Sequence, residues 1–197
     1  TLTVGVSDSS GTYSGEIRSS NQIEVKTVLT DAMVQMTGIP FTYNKTPQTP
    51  KITVTAGDQA LTQGNDYTID YKGDENGTTT ANTTNVGTVW VFITGQGSYT
   101  GTVKKSYSIE KATPTLGTVS VEESLTIYAN TLVSTIEANL KSSNENLPAG
   151  TWKLNGAGQR IMETGDYSCT FTPTDTHNYT SATGTVHITV TERAVAS

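Results

Sequence analysis

Three times along the chain, a strand of alternating apolar residues runs into a polar turn centred on tyrosine and returns as a second alternating strand. The turns are Thr12-Tyr13-Ser14-Gly15, Ser98-Tyr99-Thr100-Gly101 and Asn178-Tyr179-Thr180-Ser181. Counting back from each tyrosine, Leu2, Val4 and Val6 align with Val89, Val91 and Ile93, and with Tyr167, Cys169 and Phe171. After the tyrosines come Ile23 and Val25, then Val103, Tyr107 and Ile109, then Val186, Ile188 and Val190. Apolar residues at every second position give each strand one face to bury. The pattern therefore reads as one closing β-hairpin used three times. The segment ends repeat as well: Thr30-Asp31-Ala32, Glu110-Lys111-Ala112 and Glu192-Arg193-Ala194 are short polar joints about 80 residues apart. That spacing fits a small sandwich domain, and two complete copies fall short of the three or more a solenoid needs. The expected organisation is the C-terminal half of a repeat (a β-hairpin) or a partial domain over 1–32, a complete Ig-like repeat over 33–112 and a second over 113–197.

Within 33–112 the alternation predicts strands at 33–37, 51–55, 66–71, 88–94 and 102–109, separated by Gly- and Pro-containing turns. Within 113–197 it predicts strands near 116–121, 124–128, 151–155, 166–172 and 184–191. One stretch departs from period two. Leu132, Val133, Ile136 and Leu140 fall on one helical face, predicting a short helix over 131–141 capped by Asn130 or Thr131. The fold class is all-β, with tandem small β-sandwiches. The alternative is a β-grasp-like module in which that helix packs on the sheet.

Composition agrees and excludes several classes of function. The 197 residues include 39 Thr and 17 Ser, and only 15% are charged, against about 25% in typical soluble domains. β-Branched Thr suits a pleated surface better than a helix. A net charge of −6 with scattered Lys and Arg offers no basic surface for a phosphate backbone, so nucleic acid is not an expected partner. The longest apolar run, Val89-Trp90-Val91-Phe92-Ile93, is far short of the roughly 20 residues that cross a bilayer. Cys169 is the single cysteine, so no intrachain disulfide forms, and no zinc spacing is present. A chain opening Thr1-Leu2-Thr3-Val4 is expected to be a piece of a longer protein.

Several stretches carry a resemblance. Phe41-Thr42-Tyr43-Asn44-Lys45-Thr46-Pro47-Gln48-Thr49-Pro50, Leu61-Thr62-Gln63-Gly64-Asn65-Asp66-Tyr67, Asn85-Val86-Gly87-Thr88 and Thr94-Gly95-Gln96-Gly97-Ser98-Tyr99 resemble the tandem Ig-like repeats of surface and secreted proteins of Gram-positive, often gut-dwelling, bacteria. Thr126-Ile127-Tyr128-Ala129, Leu147-Pro148-Ala149-Gly150-Thr151-Trp152 and Phe171-Thr172-Pro173 through Tyr179 resemble a second repeat type that alternates with the first. The resemblance implies an extracellular location, at the cell surface or secreted, and a role as a stalk of adhesins or a spacer in secreted enzymes. Fold alone does not carry an activity across.

Candidate site residues are few. Trp90 with Phe92, or Tyr43 with Tyr99, could stack on a sugar ring; packing against a core or a domain surface is the favoured reading. Tyr67 and Tyr71 raise the same two possibilities. Asp74, Glu75 and Asn76 form an oxygen-rich turn that lacks the alternation of a calcium loop, which favours a solvated hairpin tip. Asp175, His177 and Asn178 could suggest a metal or catalytic pair, yet His187 alternates outward beside Val186 and Ile188, no Ser or Cys nucleophile has a supporting motif, and G-x-S-x-G is absent. Cys169 falls on the inward set, as a buried inert thiol. Asn44, Asn76, Asn82 and Asn178 begin glycosylation sequons, as chance allows in a Thr-rich chain. An internal Lys–Asn or Lys–Asp isopeptide staple would need a buried lysine that the sequence does not place. No catalytic, cofactor or metal residues are expected. The expected function is a non-catalytic structural or adhesion module acting as stalk or spacer. The alternative is a carbohydrate-binding accessory domain of a secreted glycan-active enzyme. Expected partners are neighbouring repeats of the same chain and host or dietary glycans or proteins, with the protein a monomer.

Overall fold

The computed structural model describes residues 4–7, 14–17 and 25–192. Leu2, Tyr13, Ile23 and the joint residues Arg193 and Ala194 lie outside the described residues. The described elements are, in order, β1 (Val4–Ser7), β2 (Ser14–Ile17), β3 (Thr27–Val28), β4 (Val34–Thr37), β5 (Phe41–Thr42), β6 (Lys51–Ala56), β7 (Gln59–Ala60), β8 (Tyr67–Lys72), β9 (Gly87–Gly95), β10 (Tyr99–Thr100) and β11 (Thr102–Glu110). They continue with β12 (Val119–Val121), β13 (Thr131–Leu132), helix α1 (Val133–Glu137), β14 (Leu140–Ser142), β15 (Gly150–Leu154), β16 (Arg160–Ile161), β17 (Gly165–Pro173) and β18 (Ala182–Ile188). A 3-10 turn at Asp31–Met33 precedes β4. Among the described residues the protein is all-β, as the alternation predicts, with one short α-helix.

The chain divides into two compact units: Thr1–Gly38 with Pro50–Ala81 and Trp90–Ser106, and Ile39–Thr49 with Asn82–Val89 and Tyr107–Ser197. In the first unit, β1 and β2 pair antiparallel, and β4, β6 and β7 form a three-stranded antiparallel sheet. β8 pairs antiparallel with β9 from Tyr67↔Gly95 to Lys72↔Trp90. The inward residues are those of the period-two set: Val34, Val54, Tyr67, Val91, Ile93 and Val103 are buried, with Leu29 and Leu61 closing the ends. Val91 and Ile93 are fully buried, and each such side chain contributes about 1.5–3 kcal/mol by area transfer. Val25, expected on an inward strand face, is instead 89% exposed and lies outside any strand.

In the second unit, β5 runs parallel to β11, with Phe41 opposite Ile109 and Thr42 opposite Glu110. A five-stranded sheet follows in the order β14-β12-β18-β17-β15. Its pairs are antiparallel except β12 with β18, where Val119 lies parallel to Val186. The core beneath it joins Leu116, Val119, Ile127, Leu154, Ile161, Cys169, Phe171, Val186 and Ile188. Trp152 packs its ring against Phe171 at 4.9 Å between centroids. The two tilt together over Gly150, where a Cβ would sit 2.4 Å from Phe171 Cζ and 2.5 Å from the Thr172 carbonyl oxygen. Only glycine fits that approach.

The helix is shorter than the periodicity predicts. It spans Val133–Glu137, about one and a half turns, and its N-cap position is Leu132 with no side-chain cap. Asn130 adopts a positive φ of 76°, and the Thr131 hydroxyl donates to the Tyr128 carbonyl oxygen rather than capping the helix. Val133 and Ile136 are buried as expected, but Leu132 is 44% exposed. Leu140 is buried as a strand residue, opposite Val121 in the β12–β14 pair. The physical reason is local competition. The Asn139 side-chain amide donates to the Thr135 carbonyl oxygen at 2.7 Å, ending the helical bonding one turn early, and the sheet edge takes the residues beyond. The expected strand at 124–128 also does not form, since Leu125 N–H closes a turn onto the Glu122 carbonyl oxygen. The strand expected over 116–121 begins only at Val119, because Gly117 sits at φ 63°.

Phe171→Ala removes the largest of the side chains that are almost wholly buried in the second unit. It is expected to lower unfolding free energy by about 3–5 kcal/mol, with an earlier midpoint in a urea titration followed by fluorescence of the neighbouring Trp152.

Candidate functional site

The one buried polar side chain among the described residues is Asn178, 6% exposed, in the third tyrosine turn. All of its hydrogen-bonding groups are engaged within the second unit. Its Oδ1 accepts from Val86 N–H at 2.9 Å. Its Nδ2 donates to Asp175 Oδ2 at 2.9 Å and to Asn85 Oδ1 at 3.3 Å. Its backbone N–H donates to Asp175 Oδ1 at 3.1 Å, and its carbonyl oxygen accepts from Ala112 N–H at 3.0 Å. One residue thus ties the turn at 175–178 to the loop ahead of β9 through its side-chain amide and to the Glu110-Lys111-Ala112 joint through its backbone carbonyl.

The joint is gripped on both sides. Thr180 N–H donates to the Ala112 carbonyl oxygen at 2.9 Å, and Lys111 Nζ donates to the Thr176 carbonyl oxygen at 2.7 Å. The Thr113 and Thr180 hydroxyls meet at 2.7 Å. Tyr43 and Tyr179 stack edge to face, 5.2 Å between centroids at 89°, a geometry worth about 0.5–1.5 kcal/mol beyond burial. The Tyr107 hydroxyl donates to the Gln48 carbonyl oxygen at 2.7 Å, and its ring meets Phe41 edge-on at 5.5 Å. Asp175 is held below the usual carboxylate range, chiefly by the Asn178 side-chain hydrogen bond.

The first unit uses its tyrosine turn in the same way. β3 pairs in parallel with β10, Thr27 opposite Tyr99 and Val28 opposite Thr100. Thr27 N–H donates to the Ser98 carbonyl oxygen at 2.9 Å, and Leu29 N–H to that of Thr100 at 2.8 Å. In both turns, an earlier chain segment lies in parallel beside the tyrosine.

The sequence candidates fall on separate elements. Trp90 and Phe92 share the outward side of β9, both half-buried. The Phe92 ring is covered: Lys104 Nζ sits 5.1 Å from its centroid while donating to the Glu75 carbonyl oxygen, and a Cβ on Gly77 would lie 3.2 Å from its edge. Tyr43 packs on Tyr179 in the joint, whereas Tyr99 lies beside Thr27. Tyr67 is core, 4% exposed.

The acidic turn is a closed network. Asp74 Oδ1 accepts from the N–H groups of Asn76 and Thr78, and Oδ2 accepts from Thr79 N–H and the hydroxyls of Thr78 and Thr79. The Thr79 hydroxyl, then the Thr78 amide, hold this carboxyl far below its ordinary range. Its donors are protein N–H and O–H groups, leaving neither oxygen to an ion. His187 faces outward beside Asp166, 2.6 Å away. Burial pushes the Cys169 thiol up, away from the reactive thiolate. Among the described residues, no three His, Cys, Asp or Glu side chains gather as metal ligands. An open hollow of about 600 Å³ lies by Met162, Glu163, Thr164 and Val190 and contains none of the candidates.

In the sequence Asn178 stands out only as a member of a metal or catalytic cluster and as the start of a glycosylation sequon, not as the buried hub of a joint. A usable signal was present: the residue before the tyrosine in the third turn is a large amide, where the second turn has Ser98. Comparison of the chain with family models, with curated proteins and with solved structures finds no match.

Asn178→Ala strips the Val86 amide of its partner. It is expected to cost about 1–3 kcal/mol, measured by denaturant unfolding. Asn178→Asp sets a second carboxylate against Asp175. Like charges raise the folded pKa of the pair, so this variant should be least stable near neutrality and recover as pH falls through about 4. Asp74 has the opposite sign, because its folded pKa is lowered. Its contribution is present above its ordinary pKa of about 4 and fades as pH drops below that value. The gap in melting temperature between the natural chain and Asp74→Asn is therefore expected to close in acid.

Proposed function

We propose that the chain is a non-catalytic structural module of a bacterial surface or secreted protein, with repeats over 33–112 and 113–197 serving as a stalk or spacer that presents a functional head. The carrying observation is the Asn178 joint. The polar network around the buried Asn178 is turned inward onto backbone and neighbouring side chains, tying a turn, a loop and a connecting segment. Ligand sites keep donors and acceptors open toward a cleft; this one spends them on holding segments in place. Low charge and abundant Thr suit an exposed setting, and the resemblance to Gram-positive surface repeats points the same way.

A second reading, a carbohydrate-binding accessory domain, draws on Trp90, half-buried on the outward side of β9 beside Phe92. Calorimetric titration against a panel of mucin and plant glycans separates the two. The structural reading expects no saturable heat, and Trp90→Ala indistinguishable from the natural chain. Saturable binding that Trp90→Ala abolishes while the protein stays folded would replace it with the second reading.

A further inference from the structure

The joint at Ala112 continues into the sheet in a single register. Ala112 forms a parallel bridge with Tyr179, and Val119 pairs in parallel with Val186. In both cases the partners are 67 positions apart, since 179 minus 112 and 186 minus 119 are equal. The Thr113–Thr180 hydroxyl pair between them keeps the same offset. The chain is thus held on the same offset at two places, 112–113 against 179–180 and Val119 against Val186, while 114–118 between them form no strand. At the far end, Tyr128 bridges Thr191 in parallel, and Thr191 N–H donates to the Ile127 carbonyl oxygen at 2.7 Å.

These are the entering and leaving strands of the 113–197 segment, and their direction has a mechanical consequence. When two adjacent strands run parallel and a chain is pulled from the start of one and the end of the other, they are drawn past each other along their length. Every hydrogen bond between them is then loaded together. In an antiparallel hairpin pulled from its open end, the bonds break in succession. Hydrogen bonds are individually weak, so resistance depends on how many must break at once. The contact is backed by Val119, Val186 and Ile188 in the core, with Val186 and Ile188 fully buried.

We infer that the two parallel contacts, 112–113 on 179–180 and Val119 on Val186, together form a shear clamp, so that this stretch of the chain bears tension applied along its length. The inference rests on the stalk or spacer reading and adds what it transmits, namely pulling force rather than separation alone.

Single-molecule force spectroscopy on the full chain tests it. One set of molecules is tethered through the chain ends, and a second through cysteines introduced by Lys141→Cys and Lys153→Cys, exposed positions on the edge strands β14 and β15. The second geometry pulls across the sheet and does not load the clamp in shear. Matching thermal melts of the two proteins confirm that both start folded. The expected result is an end-to-end unfolding event several times stronger than the across-sheet event, releasing about 250 Å of chain for the 113–188 stretch. Equal forces in the two geometries, or release of this stretch at the lowest force in the end-to-end trace, would overturn the clamp. The spacer reading would survive that result, since it falls only to glycan binding.

Discussion

Parallel pairing between the first and last strands of a segment is the constraint on which the second unit depends. A parallel pair cannot be closed by a tight turn, so its partners must be distant in sequence. Here 67 residues separate Val119 from Val186. Once made, the contact fixes both ends of the segment at once. Such non-local closure is slow to reach and leaves no free strand at that position, which is a useful property in a chain with no disulfide to hold it shut.

Why an asparagine stands at the start of this pairing follows from backbone accounting. Two loop ends and a connecting segment converge there, and backbone N–H groups buried away from water need partners. An apolar residue at 178 would fill the space but leave Val86 N–H without its acceptor. A charged residue would face the Asp175 carboxylate or require a partner of its own. The amide carries both an acceptor and two donors on one planar group, and here it meets one N–H and two oxygens. Burial makes this arrangement demanding, since an unfilled position in a buried network is costly.

The fold class and nearly all of the central strands were legible in the sequence, because period two at Val89-Val91-Ile93 and at Val103-Tyr107-Ile109 has one physical solution, an inward face. The buried set agrees residue by residue. Reading failed where two local preferences competed. Leu132 to Leu140 has helical spacing, but Asn139 and the edge of β12 decide the outcome, and neither effect is visible in hydrophobic periodicity. At the joint the signal lay in plain view as a recurring tyrosine turn, yet its role could not be deduced. That role depends on which segment lies beside it, and parallel partners 67 or 72 residues away leave no local trace.

The joint's composition explains why it resists being read as a site. Surface ion pairs contribute little and are screened by salt; among the described residues, those of the first unit join half-buried lysines to exposed aspartates, 77% exposed in Lys105–Asp31 and 62% in Lys72–Asp70. The contacts that order the joint are mostly neutral, being backbone amides, Thr hydroxyls, two tyrosine rings and one carboxamide. Neutral hydrogen bonds in a partly buried place lose little to ionic strength or to changes of pH above the carboxylate range. The low charge of the chain and its wealth of Thr thus reflect one choice of bonding chemistry. Order comes from groups that do not titrate, and the few that do, Asp74 and Asp175, are held ionised by donors already committed to the fold.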